Sequence, residues 1–190
     1  MIVNMAKELR IVSVAQVVGK TRLVGSAMGR ADHPLFVSEL HRYESGILCF
    51  NWSGVDLATG SYLKAAYLPV FQSTNGLPIL TSGLNSETHE ELEFALQSET
   101  RPLLILDSKK RGKAFSVSFL GILDEAYERT LLALNRHESA SAAELYQESF
   151  GQSPQIGKTA WINRLNRLFE MGLITRTKAG KGYRYSNIAV

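Results

Sequence analysis

The run Ile47-Leu48-Cys49-Phe50 is apolar at every position, with none of the polar alternation that a strand open to water on one side would carry. Residues 47–52 therefore read as a short strand buried on both faces of a sheet. After a loop, Leu63, Ala66, Tyr67, Val70 and Phe71 fall at i, i+3, i+4, i+7 and i+8, a single helical stripe over residues 61–71. Pro69 is expected to kink or shorten that helix.

The flanking segments extend the alternation. Residues 9–18 and 21–24, separated by Gly19-Lys20, read as paired strands. Residues 31–44 carry Leu35, Phe36, Leu40 and Tyr43 at near-helical spacing, with Pro34 tolerable only in a first turn. Residues 78–81 predict a strand, and residues 86–97 a helix whose first turns hold Glu87, Glu90 and Glu91. Residues 103–106 and 114–119 predict two strands around a turn that bears Lys109, Lys110, Arg111 and Lys113. That cluster reads first as a solvated hairpin tip and second as an auxiliary phosphate contact. Strands alternating with helices over some 120 residues predict an α/β domain, residues 1–123.

From Asp124 the pattern changes to helices with short connections. Tyr127, Leu131 and Leu134 stripe residues 125–136, and Ser141 with Glu144 forms a capping-box pair that starts a short helix. A third helix is bounded by Pro154 and Gly172. Its buried face is expected to hold Trp161, Ile162, Leu165, Leu168 and Phe169, with Thr159, Asn163, Asn166 and Arg167 on or near the opposite face. Residues 173–177 and 182–186 predict a hairpin around a four-residue basic turn. A second domain, residues 124–190, follows, and the direct join without a Gly/Ser tract predicts that the two domains pack together.

Charge separates the same two regions. The chain of 190 residues carries a formal net charge of only +3, yet residues 154–190 hold 7 Lys/Arg against Glu170 alone. Phosphate backbones reward clustered cations through counterion release, so the asymmetry points to nucleic acid. The helix and hairpin supply Lys158, Thr159, Asn163, Asn166, Arg167, Arg176, Lys178, Lys181 and Arg184 as candidate DNA contacts, arginine reading guanine edges or phosphate and asparagine pairing with adenine.

Two resemblances sharpen these expectations. The segments "KTAWINRLNRLFEMGLI" and "TRTKAGKGYRY" resemble the recognition helix and wing of a winged helix-turn-helix domain, like those of the MarR and ArsR regulator families. The motif "ILCFNWSGVDLATGSYLKAAYLPVF" resembles the central strand, loop and helix of STAS domains, and is similar to STAS-like domains of unknown function related to anti-sigma-factor antagonists. Those antagonists carry Asp-Ser-Ser-Gly-Leu before the helix, with the first serine phosphorylated. Thr59 and Gly60 stand at the aspartate and serine positions here, so the phosphorylation switch does not carry over and Ser61 reads as a helix N-cap. The resemblance leaves Asn51, Ser53, Thr59, Ser61 and Tyr62 as a partner-docking surface.

Enzyme readings fail on spacing. Gly19-Lys20-Thr21 and Gly157-Lys158-Thr159 copy the end of a P-loop, but Val14 and Gln152 stand where its earlier glycine belongs. His33, His41, His89 and His137 are scattered, and His89 with Glu93 makes no metal site. No catalytic residue, cofactor or metal is assigned. Cys49 is the lone cysteine and suits a reducing compartment, Lys7, Glu8 and Arg10 argue against a secretory signal, and no apolar run reaches the length of a membrane span. The expected protein is cytoplasmic and nonenzymatic. It binds double-stranded DNA as a bacterial transcriptional regulator, with the STAS-like domain sensing or docking a protein partner and a homodimer left open. The alternative is a protein-interaction adaptor whose basic wing meets an acidic partner.

Overall fold

The computed structural model describes residues 8–43, 45–74, 76–106, 117–150 and 156–188. In chain order these form β1 (Leu9–Ser13), α1 (Val14–Val18), β2 (Arg22–Leu23), α2 (Ser26–His41), β3 (Ile47–Asn51), β4 (Leu57–Ala58) and α3 (Gly60–Ala66). A 3-10 helix (Leu68–Ser73), β5 (Ile79–Ser82), α4 (Ser86–Leu96), β6 (Leu103–Leu106) and β7 (Val117–Leu120) follow. The chain then runs through α5 (Glu125–Leu134), α6 (Ala142–Glu148), α7 (Lys158–Glu170), β8 (Ile174–Ala179) and β9 (Gly182–Asn187).

β1, β3, β5, β6 and β7 make one sheet in that order, parallel except for the antiparallel β6–β7 pair. Because each parallel strand is laid down beside its predecessor, right-handed crossovers deliver successive helices to the same face. That face carries Val12, Leu48, Phe50, Ile79 and Leu103, which pack in one cluster with Phe36 and Leu40 of α2, Leu63 and Ala66 of α3, and Leu92 and Leu96 of α4. Phe36, Phe50, Trp52, Tyr67 and Phe71 form its aromatic centre, with Trp52 and Tyr67 edge to face at 4.9 Å between centroids.

The alternate residues point the other way. Ile47, Cys49, Leu80, Leu104 and Leu106 line the second face, and they share a cluster with Leu131 and Leu134 of α5, Leu145 of α6, and Trp161, Leu165 and Leu168 of α7. The core thus runs across the segment between β7 and α5, where the sequence places its boundary. A half-buried arginine holds the seam. Arg101 donates to Phe71 O and to Met171 O and lies over the Phe71 ring at 5.5 Å. Burial, and then the nearby Arg167, lower its pKa to about 10. Gly172, at φ 66, fits here because a Cβ would lie 2.7 Å from Leu77 O.

Several sequence expectations are corrected. The strand expected over 9–18 stops at Ser13, whose hydroxyl accepts from Gln16 N and starts α1, and Gly19 closes that helix in the left-handed region. β2 consequently pairs with β4 rather than with β1. α2 starts at Ser26, so Pro34 lies inside the helix instead of in its first turn. A close crossing accounts for the longer helix: a Cβ on Gly29 would sit 2.8 Å from Ala65 Cβ, letting α2 and α3 meet without intervening side chains. The cluster Lys109, Lys110, Arg111 and Lys113, like Pro154, lies outside the described residues.

Trp52 reports on the first cluster and Trp161 on the second. In each single-tryptophan variant, Trp52→Phe and Trp161→Phe, the urea midpoint from the remaining tryptophan's fluorescence should coincide with that from far-UV circular dichroism, because the sheet cannot lose one apolar cover while keeping the other. Separated midpoints would show that the two layers unfold independently.

Candidate nucleic-acid interface

α7 buries Trp161, Leu165 and Leu168 along one stripe and exposes Lys158, Thr159, Ile162, Asn163, Arg167 and Glu170 along the other. Ile162 was expected in the core and is instead 38% exposed, because the buried stripe is only one residue wide at each turn. The helix ends in a Schellman closure: Gly172 N donates to Phe169 O at 2.8 Å and Leu173 N to Leu168 O at 3.0 Å. This reversal sends β8 back along the helix.

β8 and β9 pair in register from Ile174↔Asn187 to Ala179↔Gly182, leaving the two-residue turn Gly180-Lys181 with Gly180 at φ 58. The expected four-residue turn is therefore shorter, and Lys178 sits on β8 opposite Tyr183. Lys158, Lys178 and Lys181 are exposed and have no carboxylate partner among the described residues. Thr159 and Asn163 are likewise exposed.

The remaining candidate contacts are engaged within the chain. Arg176 lies between the rings of Phe169 and Tyr183, at 3.9 and 4.3 Å to their centroids, and donates to Asn166 Oδ1 at 3.2 Å. Tyr185 OH donates to the same oxygen at 2.7 Å. Asn166 and Arg176 therefore tie the hairpin to α7, rather than projecting from it. Arg184 donates through Nε to Ser139 Oγ at 3.0 Å and through Nη1 to Glu144 Oε1 at 3.0 Å. A backbone bridge between Ala140 and Tyr185 reinforces this attachment. Arg167 is exposed but pairs with Glu170 at 3.3 Å, an exposed contact that costs little to break. Sequence reasoning missed Tyr183 and Ser139, whose parts depend on hairpin register and on a contact 45 residues away in the chain.

Glu144 closes the capping box that the sequence predicts, accepting from Ser141 N at 2.7 Å while Glu144 N donates to Ser141 Oγ at 3.2 Å. These bonds, with the Arg184 side chain, lower its pKa to about 2. A carboxylate depressed on folding stabilises the native state above its ordinary value and loses that contribution as pH falls through the folded value. Hairpin attachment should therefore weaken between about pH 4.5 and about pH 2. Glu144→Gln should flatten this part of the stability profile in acid-titrated urea melts, and an unchanged profile would assign the pH dependence elsewhere.

The candidate docking residues of the first segment separate in the same way. Ser53 and Ser61 are exposed, and Asn51 Oδ1 accepts from Ser53 N at 2.8 Å. Thr59 Oγ1 accepts from Gly25 N at 3.1 Å. Tyr62 is fully buried and donates to Asp32 Oδ2 at 3.2 Å, beside the Lys20–Asp32 ion pair at 2.9 Å, so it cannot belong to a docking surface. Ser61 is not the N-cap. Thr59 occupies that position without a side-chain cap, and the Glu91 carboxylate of α4 accepts from Gly60 N in its place. Ser61→Ala should accordingly change unfolding free energy by less than about 0.5 kcal/mol; a loss above about 1 kcal/mol would restore its capping role.

Cys49 is buried with Sγ 3.2 Å from Ser82 Oγ, and burial raises its pKa, the setting of an inert thiol. Among the described residues no His, Cys, Asp and Glu group is placed to hold a metal ion, and no helix is long and apolar enough to cross a membrane. No family model, curated protein or solved structure matches the chain.

Proposed function

We propose that the protein binds double-stranded DNA and acts as a transcriptional regulator, its last third being a winged helix-turn-helix domain and its first part a STAS-like domain that senses a signal or docks a protein partner. The observation that carries the reading is the sorting of the basic residues. Arg176 and Arg184 fix the hairpin against α7 and α6, while Lys158, Lys178 and Lys181 remain exposed without carboxylate partners among the described residues. A rigid hairpin beside an exposed helix start suits phosphate contact from both, with Thr159 and Asn163 facing the bases. The mixed α/β sheet with helices following its parallel strands is compatible with the STAS-like part. The second reading is a protein-interaction adaptor, in which the same exposed lysines meet an acidic partner.

Fluorescence anisotropy with labelled duplexes over a salt series tests the proposal on the full chain. Affinity should fall steeply with salt, and the triple variant Lys158→Ala/Lys178→Ala/Lys181→Ala should lower the slope by up to about 0.9 per lost phosphate contact. Asn163→Ala should instead weaken binding unequally among sequences, by about 1–3 kcal/mol on the preferred one. Absence of any complex at low salt would leave the adaptor reading in its place.

A further inference from the structure

Among the described residues the sheet ends on one side at β1, and the ladder fixes which of its backbone groups remain open. Ile47 N donates to Glu8 O at 3.0 Å and Leu9 is in register with Ile47, so Glu8, Arg10 and Val12 turn their peptide groups toward β3. In a parallel ladder alternate residues face opposite edges, which directs the N–H and C=O groups of Leu9 and Ile11 outward, where no backbone partner meets them among the described residues. Natural edges are normally blunted by a bulge, proline or charged side chains. β1 has no bulge or proline, its one charge, Arg10, is turned onto Glu39 of α2, and its Ile11 is 56% exposed.

Beside this edge lies a groove of about 490 Å³ between β1, α1 and α2. Its apolar lining includes Ile11, Val17 and Leu35, the last 40% exposed. Its charged lining is Arg10, Glu39 and Arg42, with both guanidiniums on the one buried carboxylate, Arg10 at 3.2 Å. Each arginine uses one nitrogen in these bonds, so the groove keeps a net charge of +1 and unused donors at its rim.

We propose that the open edge of β1 and this groove bind an extended, acidic segment of a partner protein, which adds a strand to the sheet. A strand of about five residues at about 3.3 Å each would match β1. Arg10, Arg42, Leu35 and Val17 all line the α2 side of the edge, so every second residue of the segment faces them, a carboxylate toward Arg10 and Arg42 and an apolar side chain toward Leu35 and Val17. A nucleic acid satisfies the charges but lacks the alternating donors and acceptors of a peptide. A second copy would bring one cationic groove against another. The inference is independent of the DNA reading, since it uses neither α7 nor the hairpin.

The test uses the full chain and a fluorescein-labelled, acetylated and amidated heptapeptide, Asp-Thr-Val-Thr-Asp-Thr-Val, whose aspartates and valines share one face of a strand, read by anisotropy. The expected result is saturable binding, weakened at least about tenfold when lysines replace the aspartates and when Arg42→Glu reverses the rim charge. N-methylation of the alternate peptide amides that face β1 should abolish it. Leu35→Glu, on the exposed side of α2, should weaken binding as well and serves if Arg42→Glu melts differently from the parent chain. No binding at about 1 mM peptide, equal binding of the lysine peptide, or indifference to N-methylation would overturn the proposal. So would a dimer in sedimentation equilibrium that Ile11→Arg dissociates, which would give the edge to a second copy.

Discussion

The alternation of buried side chains along β3 is the constraint on which the architecture depends. Leu48 and Phe50 enter one cluster and Ile47 and Cys49 the other, so this strand has no face that water can occupy. Parallel connections of one hand send α2, α3 and α4 to the first face only. The second face then exposes Leu80, Leu104 and Leu106 as well, a contiguous apolar surface that costs on the order of 25 cal/mol for each Å² left in water. Helices α5, α6 and α7 cover it. Their own inner stripes, headed by Leu134, Trp161 and Leu165, need a partner surface equally, and each layer supplies what the other lacks.

This arrangement determines how the basic region is presented. With one side of α7 committed to the second cluster, its opposite side and the hairpin are the surfaces of this region left to meet a partner. Arg101 sets the position more finely, since its half-buried guanidinium donates to the carbonyls of Phe71 and Met171 on two different elements. The hairpin is then fixed to the helices by polar contacts as well as by the buried Ile174 and Tyr185. Asn166 accepts from both Arg176 and Tyr185, and Arg184 reaches Ser139 and Glu144. Cations that look equivalent in the sequence thereby divide into those that hold the hairpin and those that face solvent.

Much of the element order was legible because it rests on local rules. The capping box at Ser141 and Glu144, the shortening of α3 ahead of Pro69 and the turn of Gly172 each involve residues within a few positions of one another. The errors share the opposite character. Valine and isoleucine over residues 9–18 suggest strand, but the Ser13 cap and Gly19 closure convert half of them to helix. Pro34 suggests a helix start, yet α2 extends upstream because Gly29 packs against α3, about 33 residues away in the chain. Ser61 suggests a cap, and a glutamate on another helix takes the role.

For this protein, then, sequence alone determined the alternation of strands and helices, the two-sided burial of the central strand and the concentration of cations near the carboxy terminus. Those properties follow from side-chain type and short spacing. Tertiary structure decided which cations are free, that Tyr62 faces the core, and that the carboxy-terminal helices complete the sheet's own core. These outcomes depend on partners distant in the chain: Arg184 pairs with Glu144 and Tyr62 with Asp32, and neither pair is marked by any local pattern. A charged or aromatic residue is either exposed or satisfied only once the opposing surface is in place, since burial without a partner costs more than the contact returns.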